Sequence, residues 1–276
     1  MASKKSKLNF NFLKIAKISG IVFGGIFGLV ILIMIVAPRP YYSEGFENFD
    51  EVKEYSKDLD EFMKMTGKNY ITPDYSSYYQ KKFVVTLGGD HSVAIGPINA
   101  HSDFHKDISI LHLDAHADMR DSYENNKFSH ASVMARAKEK VNNIVSVGIR
   151  SMDISEKNSF KKGNLFLAED VCCGSDKWIT QVVKKLGKKV YLTLDVDVFD
   201  SGIMPSTGTP EPGGLNWYQI TKLIHAVCKT KELVGMDIVE LAPNPVNKAP
   251  DFLVAKLIFK VLSYKFAKNQ IGNRRL

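Results

Sequence analysis

The sequence predicts an α/β fold on a mostly parallel sheet, and two patterns carry that expectation. Short apolar runs recur at 83–87, 108–113, 144–147, 165–167, 190–194 and 233–238. Between most of them lie longer stretches with helical spacing, at 130–140, 178–186 and 217–227. Strands that alternate with helices are covered on both faces, so they read as continuous apolar runs. A third pattern stands apart. Residues 18–36 read ISGIVFGGIFGLVILIMIV, and no charge falls between Lys17 and Arg39. As a helix this run would reach ~28 Å, close to the hydrocarbon thickness of a bilayer. The sequence therefore predicts a single N-terminal transmembrane helix over 18–38 ahead of the α/β body.

Composition fits a chain with a substantial core. Of 276 residues, 45% are hydrophobic and 24% charged, which excludes disorder and collagen-like repetition. The net charge of +7 sits at the ends: Lys4, Lys5, Lys7, Lys14 and Lys17 precede the apolar run, and Arg274 and Arg275 close the chain. Residues 18–273 then sum to zero, so no nucleic-acid partner is expected. The basic flank 1–17 faces Glu44, Glu47, Asp50 and Glu51 across the run, which by the positive-inside rule puts the N-terminus in the cytoplasm. Cys172, Cys173 and Cys228 read as free thiols and lean toward a reducing compartment, which leaves the side of the remaining chain open. A cleaved signal peptide or a buried core element are the alternatives to an anchor. Gly20, Gly24 and Gly28 have the spacing of a close helix contact. Residues 39–80 form an atypical connecting region with a helix predicted over 50–65, and 81–276 form the main domain.

Three strand ends are chemically unusual. The run at 83–87 leads into Gly88-Gly89-Asp90-His91-Ser92, that at 108–113 into Asp114-Ala115-His116-Ala117-Asp118, and that at 190–194 into Asp195-Val196-Asp197. In open α/β sheets, ligands gather beyond the carboxyl ends of the strands. In extended chain, residues two apart share a side, so Asp114, His116 and Asp118 converge, as do Asp195 and Asp197. Carboxylates so crowded need cations to neutralise them. His91, Asp114, His116, Asp118, Asp195 and Asp197 supply four carboxylates and two imidazoles, enough for two divalent ions. Oxygen-rich ligation without thiolate favours Mn²⁺ over structural zinc. Two such ions would acidify a bridging water, and the chemistry implied is metal-assisted hydrolysis.

GGDHS at 88–92, LHLDAHADMRD at 111–121, SHASVMAR at 129–136, LTLDVDVFD at 192–200, PSTGTPEPGGL at 205–215 and GMDIVELAP at 235–243 resemble the ureohydrolase (arginase/agmatinase) family, its agmatinase branch above all. The likeness covers about residues 80 to 265. It implies the three-layer αβα arginase–agmatinase fold, a homo-oligomer, and a binuclear manganese centre that cleaves a guanidino group to urea and an amine. Carried onto matching positions, His91, Asp114, Asp118 and Asp195 would hold one ion. Asp114, His116, Asp195 and Asp197 would hold the other, with Asp114 and Asp195 bridging. His130 matches the family's catalytic histidine and would protonate the leaving amine. Glu240 matches the carboxylate that holds the guanidinium, and Asp118 would also hydrogen-bond the attacking hydroxide. The 205–215 loop is read as structural support. His101, His105, His112 and His225 lie outside the motifs as ordinary surface or packed residues.

The pattern departs from the family at its start. The strand, the glycine-, arginine- and proline-containing loop and the second strand that normally precede Gly-Gly-Asp-His are not found. The sheet is therefore expected to expose its edge unless residues 39–80 or a partner cover it. Agmatine is the first substrate choice, with guanidinobutyrate or arginine as alternatives. A membrane-tethered metal-binding protein without turnover is the reading from another class.

Overall fold

The computed structural model describes residues 83–266 together with the short strand β1, Leu32–Met34. Six further strands follow: β2 Val84–Leu87, β3 Ile108–Leu113, β4 Asn143–Ile149, β5 Leu165–Leu167, β6 Lys189–Asp195 and β7 Glu232–Val239. They form one seven-stranded sheet in the order β1-β2-β7-β6-β3-β4-β5, and every strand pairing is parallel. The six apolar runs read from the sequence correspond to β2–β7.

The intervening helices are α1 Ile95–Phe104, α2 Val133–Lys138, α3 Ala168–Cys172, α4 Lys177–Lys185, α5 Trp217–Thr230 and α6 Ala249–Phe266. Their starts follow local chemistry. Asn216 caps α5 by accepting from the amides of Tyr218 and Gln219, and the Gln219 side chain accepts from the Asn216 amide, a reciprocal capping box. The sheet separates two cores. On one face Leu111, Leu113, Val145, Val147, Leu192, Leu194, Met236 and Ile238 pack with α4, α5 and α6. On the other, Ile108, Ile110, Ile144 and Tyr191 pack with α1 and α2. These are the three layers expected from the sequence.

The N-terminal expectation is corrected. Leu32–Met34 lie inside the predicted span 18–38, yet they form a strand paired with β2, Leu32 opposite Val85 and Met34 opposite Leu87. Among the described residues, no helix is long and apolar enough to cross a membrane. The single-pass membrane placement, with a cytoplasmic N-terminus, is therefore withdrawn. The physical reason is that an apolar run suits a parallel-sheet strand as well as a bilayer helix, and periodicity alone does not separate the two. The sheet edge at β2, expected to be open unless residues 39–80 or a partner covered it, is paired instead with β1. The basic flank 1–17, the glycine spacing at 20–28, the connecting region 39–80 and its predicted helix lie outside the described residues.

Candidate metal centre

Four adjacent strands, β2, β7, β6 and β3, point their carboxyl ends at one place. Beyond β2, Gly88 donates to the Ile238 carbonyl, and the Glu240 amide donates to the Gly89 carbonyl at 2.7 Å. This continues the β2–β7 ladder past both strands and brings Glu240 to the Gly-Gly turn. Asp90 then caps a 3-10 turn, His91–Ala94, so the His91 ring sits buried over the sheet. Beyond β6 a second 3-10 turn, Val196–Val198, is capped by Asp195, whose carboxylate accepts from the Asp197 amide at 2.9 Å. Beyond β3 the Asp114 carboxylate accepts from the His116 amide at 2.6 Å, and Asp197 accepts from the Ala115 amide at 3.0 Å.

The side chains meet beyond the strand ends, though not through the extended chain that their spacing implied: Asp197 lies in a 3-10 turn and Asp118 in left-handed backbone. His91 Nδ1 lies 3.0 Å from Asp114 Oδ2, 3.0 Å from Asp118 Oδ2 and 3.5 Å from Asp195 Oδ2. His116 Nδ1 lies 2.9 Å from Asp197 Oδ2 and 3.6 Å from Asp114 Oδ1. Two groups have ligand atoms mutually within 4.8 Å: His91, His112, Asp114 and Asp118, and then Asp114, His116 and Asp197. They share Asp114. Asp195 belongs to neither group by that distance, but its carboxylate faces His91.

Electrostatics mark the site as built for positive charge. Burial works against ionising Asp114, yet the His112, His116 and His91 rings around it hold its carboxyl well below the usual range. Burial and the Asp197 and Asp114 carboxylates push Asp195 well above that range. Burial also opposes charge on His116, but Asp114 and Asp197 outweigh it and raise the ring to about 11. Carboxylates that compete this strongly for protons compete equally for cations. The observation that tests a metal fit is His91 Nδ1. It is buried beside two carboxylates, yet makes no hydrogen bond of acceptable geometry to either. Donor atoms that crowd one point without bonding each other leave room for an ion between them. The residues fit a two-metal site.

Two site residues sit in left-handed backbone: Asp118 with φ 52° and Glu240 with φ 64°. For non-glycine residues this conformation costs on the order of 1 kcal/mol and persists only where the surroundings enforce it. At Asp118 the enforcement is visible: its carbonyl accepts from the Met134 and Ala135 amides, and the next amide, of Met119, donates to Glu156 at 2.8 Å. Glu240 is half-buried and accepts from the His91 amide at 2.7 Å, and burial raises its carboxyl. Gly208, in the 205–215 loop, comes so close that a Cβ there would stand 3.6 Å from Glu240 Oε2. His130 begins the 3-10 turn His130–Ser132 and is exposed, with Tyr123 edge-on at 5.5 Å.

Two contributors were not found from the sequence. His112, read as an ordinary histidine, is fully buried and bonds Asp114 Oδ2 through Nε2 at 2.8 Å and Ser146 Oγ through Nδ1 at 3.1 Å. Both its nitrogens are engaged by protein, so it holds Asp114 rather than a cation. The signal was available: His112 lies two residues before Asp114 and so on the same face. Arg150 donates to five backbone carbonyls, those of Gly148, Asp197, Phe199, Glu211 and Pro212. It fastens the 205–215 loop to the turn that carries Asp197. The bonds to Glu211 and Pro212 are in line with reading that loop as structural support.

With this geometry in view, the comparisons with known proteins become specific. The profile of the arginase family matches residues 52–263. This chain belongs to the arginase family. An N(1)-aminopropylagmatine ureohydrolase of Thermus thermophilus is 40% identical over 185 residues, which are 67% of this chain and 63% of that protein. An agmatinase of Pyrococcus horikoshii is 32% identical over 64% of this chain and 61% of its own length. The solved structure of the agmatine ureohydrolase of Thermoplasma volcanium superposes with a TM-score of 0.62 at 32% identity, over 72% of this chain and 69% of that one. The match to the first relatives spans less than two thirds of their length. The family match starts at residue 52, inside the 39–80 region that the motifs had left unassigned.

Proposed function

We propose that this arginase-family chain is a ureohydrolase that uses two manganese ions to cleave the guanidino group of agmatine, giving urea and putrescine. What supports this reading above all is the convergence of His91, Asp114, His116, Asp118, Asp195 and Asp197 from adjacent strand ends around a shared carboxylate. Those six residues would hold the ions, and bound there the pair would supply an acidified water near neutral pH.

The chain's own groups account for the rest of the reaction. Glu240 accepts N–H bonds from the planar guanidinium and sets its carbon toward the carboxylate cluster. Its fixed left-handed backbone and its bond to the His91 amide tie that orientation to the metal site. Asp118 accepts a hydrogen bond from the attacking water while it faces His91. His130, exposed at the rim, gives a proton to the amine as the carbon–nitrogen bond breaks. The products would place the reaction in polyamine biosynthesis.

A second substrate is favoured by the relatives' names. Relatives from Thermus and Synechocystis at 35–40% identity are N(1)-aminopropylagmatine ureohydrolases. That compound presents the same guanidino group and differs at the far amine, so the chemistry above is unchanged. The deciding experiment incubates the full chain, loaded with Mn²⁺, with agmatine, N(1)-aminopropylagmatine, guanidinobutyrate and arginine, and measures urea. Urea from agmatine at the highest kcat/KM is the expected result. Preference for the aminopropyl compound moves the assignment to it, and no urea from any of the four with both metals bound overturns the enzyme reading.

A further inference from the structure

Beneath the carboxylates the sheet carries a row of polar side chains that the reaction does not use. Register aligns Thr86 of β2 with Asp237 of β7, Asp237 with Thr193 of β6, Thr193 with His112 of β3, and His112 with Ser146 of β4. All five are at most 2% exposed. The alignment depends on an irregularity: the β6–β7 register shifts between Val190 and Tyr191, which brings Thr193 opposite Asp237. Five polar residues in the middle of five parallel strands are costly unless bonded to something that needs them.

Part of the row reaches upward to the site. His91 Nε2 lies 2.9 Å from Thr193 Oγ1, and that hydroxyl donates to Asp237 Oδ1 at 2.7 Å. A hydroxyl has one proton. Once Thr193 gives it to Asp237, its oxygen can only accept from His91, which puts the ring proton on Nε2. In the neutral ring Nδ1, the atom that crowds Asp114 and Asp118, then carries the lone pair. We propose that Thr193 and Asp237 are positioning residues for His91, which fix its ring orientation and tautomer so that Nδ1 is ready for a divalent cation. This deepens the metal reading above and rests on it. Histidines that bind metals commonly give their second N–H to a carboxylate, and loss of that partner weakens the metal by about 10- to 100-fold. Here a threonine carries the link to a carboxylate on the neighbouring strand, β7.

The test titrates the metal-free full chain with Mn²⁺ alone by calorimetry, and follows folding by circular dichroism. Wild type is expected to bind two ions. Thr193→Val keeps the shape but removes the hydroxyl, and is expected to weaken one ion about 10- to 100-fold. Thr193→Ser keeps the hydroxyl and is expected to retain wild-type affinity. Asp237→Leu should weaken the same ion in the same direction. If folded Thr193→Val and Asp237→Leu bind like wild type, this proposal fails and the metal reading stands. Equal losses in Thr193→Val and Thr193→Ser point to packing and also overturn it. If wild type binds no Mn²⁺, the metal reading itself fails and takes the proposal with it.

Discussion

The two faces of the sheet are made by alternate residues of the same strands, and they obey different rules. The face toward α4, α5 and α6 is apolar along its whole length, with Leu113, Val147, Leu194 and Met236 all unexposed. The face toward α1 and α2 changes along the strands. It is apolar at Ile108, Ile110, Ile144 and Tyr191, polar at His112, Ser146, Thr193 and Asp237, and ends in Asp114 and Asp195. Both faces are buried, so burial does not decide residue type. The difference lies in what satisfies each side chain: close packing on one face, directed bonds and charge on the other.

Substitutions should separate the faces. The largest effect is expected at the charged end, where Asp114→Ala and Glu240→Gln should each cut urea release by at least ~100-fold while thermal unfolding stays cooperative. On the apolar face, Leu194→Ala should cost about 2–5 kcal/mol of stability by denaturant titration, with Mn²⁺ stoichiometry unchanged. Between these lies Gly235, whose missing Cβ leaves room for His101: an added methyl would come within 2.4 Å of the His101 ring. Gly235→Ala should therefore cost about 1–3 kcal/mol through overpacking.

His101 offers a pH handle away from the carboxylates. Burial, and then the nearby His105, lower it from 6.5 to about 3. Between those values the unfolded chain binds the proton and the folded one does not, so stability should fall as pH drops from about 6.5 toward 3. Acid unfolding of His101→Gln should show a shallower slope over that window. At Asp195 the sign of the effect on stability should depend on metal. In metal-free protein, Asp195→Asn relieves the burial and crowding by Asp197 and Asp114 that disfavour its carboxylate and should raise the melting temperature slightly, whereas in Mn²⁺-loaded protein it should lower it.

Much of this was legible in the sequence, for physical reasons. Strands β2–β7 announce themselves as apolar runs because a parallel sheet is buried on both faces. The carboxylates announce themselves because aspartate is out of place beside such runs. The polar row was not legible. A single Thr193 or Ser146 in an apolar strand reads as tolerated, and its meaning appears only when register lines it up with neighbours. The left-handed backbone at Asp118 and Glu240 has no glycine to betray it. Leu32–Met34 were read as bilayer because apolarity suits two environments, and the partner residues on β2 lie 53 positions away in sequence, Leu32 opposite Val85.

The Arg150 brace has a consequence for how the site tolerates its surroundings. A guanidinium presents its donors in a planar fork that a lysine ammonium cannot imitate. Arg150 holds Glu211 and Pro212 to the Asp197 turn through backbone carbonyls alone, so this anchorage near His116 borrows no side chain from the centre. Substitutions among the centre's side chains can change its charge without unfastening that wall, so loss of metal and loss of shape should be separable events.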